Sequence, residues 1–400
     1  MKVPTHSESR AKKPIGDPLI LALLLAFPST GLIQKYAGLV GVVGYVILVG
    51  AVVYLTWRFG IRLSPWLRSH FRGLGILSIA GLGLGFAVLH PLEDSRGLGR
   101  SSDRDDGLNM AASRLAHGES PYYPSHKLVG PLSVLPGSVV LAAPFVALGN
   151  SGYQNIFWLA AFLTASCWMF KDQALGLLML IGPLALSPSA LYEFVSGGDM
   201  LANGIYVAAF FLLVLKSWSD PEAPGWTRWT AIVLLGIGLA SRPNFLLLVP
   251  LLGAALWRTA GLRQAMVASG TAVLLTVAIT VPFYLHDPAG FTPLMARQKM
   301  AIVDHSLPWA SLAMIATTAL IGLVGAWVLL RFPSPDLLRS FFRWCAVITV
   351  CPMICAVAMF SLVNGHLDFE FMRDRFGLMY VFFALWGWGG RFTHQAPSSL

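Results

Sequence analysis

The chain has 400 residues, of which 56% are hydrophobic and only 12% charged, and its formal net charge is +9. Its apolar residues come in long blocks rather than at amphipathic spacing, which excludes a soluble globular protein and marks a polytopic membrane protein. The basic residues sit at block ends and form no long run beside aromatics, which excludes a nucleic-acid surface.

A helix of about 20 apolar residues crosses hydrocarbon with every backbone group paired. On that criterion the chain is expected to be all-α, with about twelve spans at 19–33, 37–57, 73–92, 153–170, 174–191, 201–218, 229–240, 243–257, 264–284, 308–330, 341–363 and 376–390. The first follows Lys12 and Lys13 and resembles a secretory leader, but no small-residue cleavage site follows clearly, so it is expected to stay as an anchor. With the amino terminus inside, more than half of the 28 Lys and Arg fall on the inner side and most acids on the outer, as the positive-inside rule demands. The stretch PLSVLPGSVVLAAPFVALG, 131–149, must then not cross. Pro131, Pro136 and Pro144 break it, and it reads as an interfacial or re-entrant segment on the outer side.

The polar chemistry collects in the predicted outer loops. Loop 93–130 carries Glu93, Asp94, Asp103, Asp105, Asp106 and Glu119. Within it DGLNMAASRLAHG sets Leu108, Ala111, Ala112 and Leu115 at helical spacing, with Asn109, Ser113 and Arg114 on the other face, so an interfacial helix is expected. Acids at its start are ordinary caps, although three within four residues exceed what one cap requires. EFVSGGDMLANG places Asp199 just before an apolar helix, either as an N-cap or as a functional acid at the membrane boundary. LASRPNFLLLVP places Arg242 between two half-segments, where it either snorkels or grips a phosphate. The loop 285–307 adds Arg297 and Lys299 with His286 and His305, and 364–375 adds Arg373 and Arg375. The four cysteines lie inside predicted spans. Cys351 and Cys355, at i and i+4, read as small core residues.

An acidic loop meeting basic loops at one membrane face suits transfer from a lipid phosphate. A carboxylate takes a proton from the attacking hydroxyl, and cations stabilise the departing phosphate. A polyprenyl-phosphate sugar meets both demands, with 285–307 as a lid that excludes water.

The Asp-rich loop followed by AASRLAHGESPYY and PLSVLPG, then SGGDMLANGIYVAAFFLLVL and GLASRPNFLLLVPLL, resembles the GT-C superfamily of integral-membrane glycosyltransferases over roughly residues 73–260. The likeness is nearest to bacterial members that use polyprenyl-phosphate-linked mannose or related sugars. It implies a catalytic module at 73–260; residues 1–72, a cytoplasmic tail and two-helix extension, depart from the family by preceding its usual first span, and 261–400 is expected to be a C-terminal transmembrane module with donor and acceptor loops at 285–307 and 364–375. It implies Asp105 as general base, with Asp103 and Asp106 close enough for the register to slip, and Asp199 as an acceptor-orienting or metal-binding acid. Arg242, Arg297, Lys299 and Arg373 are implied donor-phosphate contacts. No cofactor is demanded; Mg or Mn would find oxygen ligands in Asp105 and Asp199. The expected partners are a polyprenyl-phosphate sugar donor, a lipid, glycan or protein acceptor, and the bilayer, and the expected location is a bacterial plasma membrane with an extracytoplasmic site. A transporter or flippase, and a non-catalytic envelope-assembly subunit, are the competing readings.

Overall fold

The computed structural model describes residues 16–95, 103–123, 131–295, 304–305, 307–334, 336–374 and 377–391. It is all-α, with no strand among the described residues.

Helix α1 (Gly16–Ala26) ends in a 3₁₀ turn at Phe27–Ser29, where Pro28 lacks the amide a continuing helix needs, and α2 (Thr30–Ser69) follows. Gly38, at φ 65°, is non-helical inside α2, so two helices meet at a kink there, just beyond the predicted break at 34–36. Then come α3 (Phe71–Asp94), α4 (Arg104–Ala116), α5 (Pro136–Ala147) and α6 (Tyr153–Phe170). Helices α7 (Gln173–Leu186) and α8 (Pro188–Val195) meet at 92°: Pro188 bars an α-helical Ser187, whose hydroxyl instead caps α8 at the Ala190 amide. They precede α9 (Met200–Ser219), α10 (Gly225–Leu239), a 3₁₀ turn at Pro243–Leu248, α11 (Val249–Ala260) and α12 (Leu262–His286). The last helices are α13 (Ala310–Arg331), α14 (Leu337–Asn364) and α15 (Leu378–Trp388), with a 3₁₀ turn at Glu370–Asp374 between the last two.

Seven described helical segments are long and apolar enough to cross a membrane, or eight if the bent pair α7 and α8 is one crossing, against the twelve expected. The difference has three sources. Joined through the kink at Gly38, the first two spans count as a single apolar stretch, Gly16–Ser69, and α6 is diluted at its start by Gln154 and Asn155. Helices α10 and α15 have 15 and 11 residues, about 22 and 16 Å at 1.5 Å per residue, short of a hydrocarbon layer of about 30 Å. Segment 131–149 does not form a spanning helix: α5 is 12 residues long, starts at Pro136 and contains Pro144.

Helix α15 fills the centre. All eleven of its residues are buried, and it packs against α1, α9 and α14. Trp386 stacks on Phe162 at 5.3 Å and donates its indole N–H to Ser166 Oγ at 2.8 Å. Because lipid is as apolar as leucine, contact between such helices rests on close packing and buried hydrogen bonds rather than on escape from water. Gly204 of α9 supplies that closeness: a methyl there would lie 2.7 Å from the Met379 carbonyl.

The polar ends of the helices segregate. Predicted inner segments bind one another, with Arg68 on Asp172 at 2.7 Å, Arg343 on Asp17 at 3.2 Å, and Arg258 donating to the Leu329 carbonyl at 2.8 Å. At the other end a second, small core of Leu108, Ala111, Ala112, Tyr122, Tyr123 and Phe291, among others, joins α4 to α5 and the 3₁₀ turn at Thr292–Met295. Thr292 adds a hydrogen bond from its hydroxyl to the Leu132 carbonyl.

Candidate active site

The site forms where α4 lies over the turn between α8 and α9. Leu108, Ala111 and Ala112 of α4 face the small core, as their spacing predicts, and Asp105 shares that face at i−3 and i−7 from Leu108 and Ala112. It is therefore buried, at 3% exposure, whereas Asp103 and Asp106 turn toward solvent. Asp103 holds the N-cap position without a side-chain cap bond.

Asp105 packs on Gly197. That residue turns the chain at φ 68°, and a methyl on it would lie 3.0 Å from the Asp105 Cβ, so the turn demands glycine on both counts. The Asp105 carboxylate accepts from Asn150 Nδ2 at 3.4 Å and lies 3.5 Å from His90 Nε2. His90 Nδ1 faces the Val195 carbonyl at 3.0 Å, which requires the proton on Nδ1 and leaves Nε2 as the basic nitrogen directed at Asp105. Phe86 stacks on the imidazole at 4.5 Å and fixes its plane. Burial, and after it the Asp106 carboxylate, push the Asp105 carboxyl up to about 6, against the opposing pull of His90 and Asn150.

Two residues beyond Gly197, Asp199 sits at the N-cap of α9 but caps nothing. Its oxygens instead accept from Arg242 Nη2 at 2.7 and 2.9 Å and from Asn203 Nδ2 at 2.8 Å, with Ser138 Oγ at 3.5 Å. Burial works against its ionisation, yet the guanidinium of Arg242, with Arg104 behind it, keeps the carboxyl below its ordinary range. Arg242 does not snorkel. Only 7% exposed, it is held where α10 ends and the 3₁₀ turn at Pro243 begins. The amides of Leu135 and Gly137 bind the Ser241 and Ala240 carbonyls there, at 3.0 and 2.7 Å, so α5 docks on the same break.

Glu193, at the end of α8, is fully buried under Gly198, accepts from the Met200 amide at 2.9 Å and faces Arg104 Nη1 at 3.4 Å. Asn155 Nδ2 donates to the Gly198 carbonyl at 2.8 Å. Deeper in the bundle, the side-chain amide of Gln154, the indole N–H of Trp158 and Arg242 Nε are buried polar groups with no hydrogen-bond partner among the described residues. Trp158 and Tyr206 pack edge to face at 5.4 Å, and the Tyr206 hydroxyl bonds Asn203.

No protein-family model matches the chain, and no curated protein or solved structure matches it either.

Of the residues singled out from sequence, Asp105, Asp199 and Arg242 are thus gathered around one turn. Arg297 and Lys299 lie outside the described residues, as does the side chain of Arg373, whose backbone belongs to the turn Glu370–Asp374. That turn packs on the start of α2, where the Phe369 amide donates to Gln34 Oε1 at 2.7 Å. His90, Asn150, Arg104 and Glu193 were not anticipated. No group of three His, Cys, Asp or Glu among the described residues is arranged to hold a metal. Asp199 is already held by Arg242 and Asn203, and Asp105 by Asn150 beside His90, so these two carboxylates do not present an open oxygen cage.

Proposed function

We propose that the protein is a membrane glycosyltransferase that moves a sugar from a polyprenyl-phosphate carrier to an envelope lipid, glycan or protein on the extracytoplasmic face. The observation that carries this reading is a buried carboxyl, raised to about 6 and resting on Gly197, two residues before the Asp199 that a buried arginine holds. Near neutral pH the Asp105 carboxylate is a better base than an ordinary aspartate, because its conjugate acid is weaker. It removes the proton of the acceptor hydroxyl as that oxygen attacks the anomeric carbon, and the carbon–oxygen bond to the phosphate breaks. The Asn150 amide orients the carboxylate, and His90 stabilises its charge in the imidazolium form, in which Nε2 also carries a proton. A phosphate arriving at Arg242 competes with Asp199 for the guanidinium, so donor binding is coupled to a shift of the 197–199 turn on which Asp105 rests. The partnerless Gln154 amide, Trp158 indole and Arg242 Nε are the kind of donors and acceptors that a polyhydroxylated ligand needs. The reading retains a twelve-segment topology, with α6, α10 and α15 as membrane-embedded segments inside the bundle.

The purified protein in lipid, supplied with a radiolabelled polyprenyl-phosphate sugar and envelope acceptors, is expected to transfer label. Asp105→Asn is expected to bind the donor and transfer little. Equal transfer by the variant removes Asp105 from the mechanism.

One feature favours a transporter as second reading: an ion pair buried between two helix breaks, at Gly197 and Pro243, is a common substrate-site arrangement in carriers. Solute uptake into proteoliposomes without transfer of label would decide for it.

A further inference from the structure

At the opposite end of the bundle, a groove of about 660 Å³ opens between α6, α9 and α10. Leu213, Ala231 and Leu234 form its apolar wall, and Lys216 and Trp226 stand at its polar mouth. A second cleft of about 440 Å³, lined by Arg68, Lys171 and Gln173, adjoins the first at Trp168, which lines both.

The charge at this mouth is unbalanced. Asp172 is taken by Arg68 at 2.7 Å and by the first amides of α7, and Asp336 by Arg339 at 2.8 Å. Asp220, which also lines the groove, keeps its charge, but Arg228 lies beside it and donates to its carbonyl at 2.6 Å, which leaves the two lysines in excess. Lys171 and Lys216 make no ion pair among the described residues, and their ammonium groups repel one another. Lys171 is also one of two described non-glycine residues in the left-handed region, at φ 52°, where a helix end ordinarily places glycine. The fold thus holds a lysine in a disfavoured conformation at the rim of an apolar groove. Trp226, 72% exposed, and Trp168, 48% exposed, flank the mouth as tryptophans do at a headgroup layer.

We infer that this groove binds one anionic phospholipid, its phosphodiester between Lys171 and Lys216 and an acyl chain along Leu213, Ala231 and Leu234. A free phosphate would leave the apolar wall unused, and a zwitterionic lipid would bring its own cation against two lysines. Binding here is independent of the chemistry at Asp105.

The test is native mass spectrometry of the full-length protein in neutral detergent, with equimolar phosphatidylglycerol and phosphatidylcholine of matched chains. The wild type is expected to retain the anionic lipid preferentially, by about five-fold for each lysine engaged. Lys171→Gln with Lys216→Gln is expected to abolish the preference. Thr230→Trp, which blocks the groove and keeps both lysines, is expected to reduce bound lipid. Arg263→Gln, the same loss of charge away from the groove, is expected to change nothing. A wild type without preference, a double lysine variant that keeps it, or an Arg263→Gln variant that loses it equally would each overturn the inference.

Discussion

Replacing Asp105 with asparagine keeps its shape and removes its charge, and the environment of that carboxyl sets the size of the effect. Its pKa rises from 3.8 to about 6, and two units are worth about 3 kcal/mol between the protonated and ionised forms. Because the folded pKa lies above the unfolded one, the folded state holds the proton more tightly. The corresponding stability is fully present below pH 3.8 and is lost as pH rises through 6. Wild type at pH 7.5 therefore carries a strained carboxylate that Asp105→Asn lacks, and the variant is expected to be the more stable by up to about 3 kcal/mol there. The gap should close toward pH 4. Thermal unfolding of both proteins in one detergent, at intervals from pH 4.5 to 7.5, measures it. A difference that stays constant across that range would refute the claim that Asp105 is buried and raised. In the same preparations, sugar transfer by the variant is expected to fall by about a hundred-fold or more, the usual weight of a general base.

Three further outcomes are expected. His90→Gln removes a group that favours the Asp105 carboxylate, so the acid limb of the pH profile of kcat/KM should move to higher pH; an unmoved limb would separate the imidazole from the base. Asp199→Asn and Arg242→Gln each strand a buried charge and should cost about 3 kcal/mol singly, with the double variant costing less than the sum, as a double-mutant cycle on unfolding midpoints would register; strict additivity would count against the pair. Cysteines placed at exposed Ser113 and exposed Glu222 test sidedness: a membrane-impermeant maleimide should label the first in intact cells and the second only after permeabilisation, and the reverse pattern would invert the proposed topology.

The helical class and the separation of polar ends were legible because both follow from composition and the period of the helix. So was the inward face of α4 at Leu108, Ala111 and Ala112; the choice among Asp103, Asp105 and Asp106 stayed open in the sequence, and the structure buries Asp105 on that same face. Asn203 and Tyr206 follow Asp199 at i+4 and i+7, a pattern present in the sequence that points to a polar helix face. His90 and Asn150 offered no such signal. Each is a single polar residue at the edge of an apolar stretch, and only the packing of α3 against α8 and of the turn before α6 brings them to Asp105. Glu193 stood within sight of Asp199, but nothing local reveals that a glycine three residues after a helix end will cover a carboxylate. Hydropathy overcounted the spans because it registers apolarity and not surroundings: α15 is apolar on every side since protein, not lipid, encloses it.

That enclosure bears on how the chain assembles. Helix α15 is translated after every other described helix, yet it occupies the axis that α1, α9 and α14 share. Those three helices therefore reach their full packing only after α15 has been made. A ribosome stalled before residue 377 would leave Phe162 and Phe342 without the Trp386 ring on which both pack.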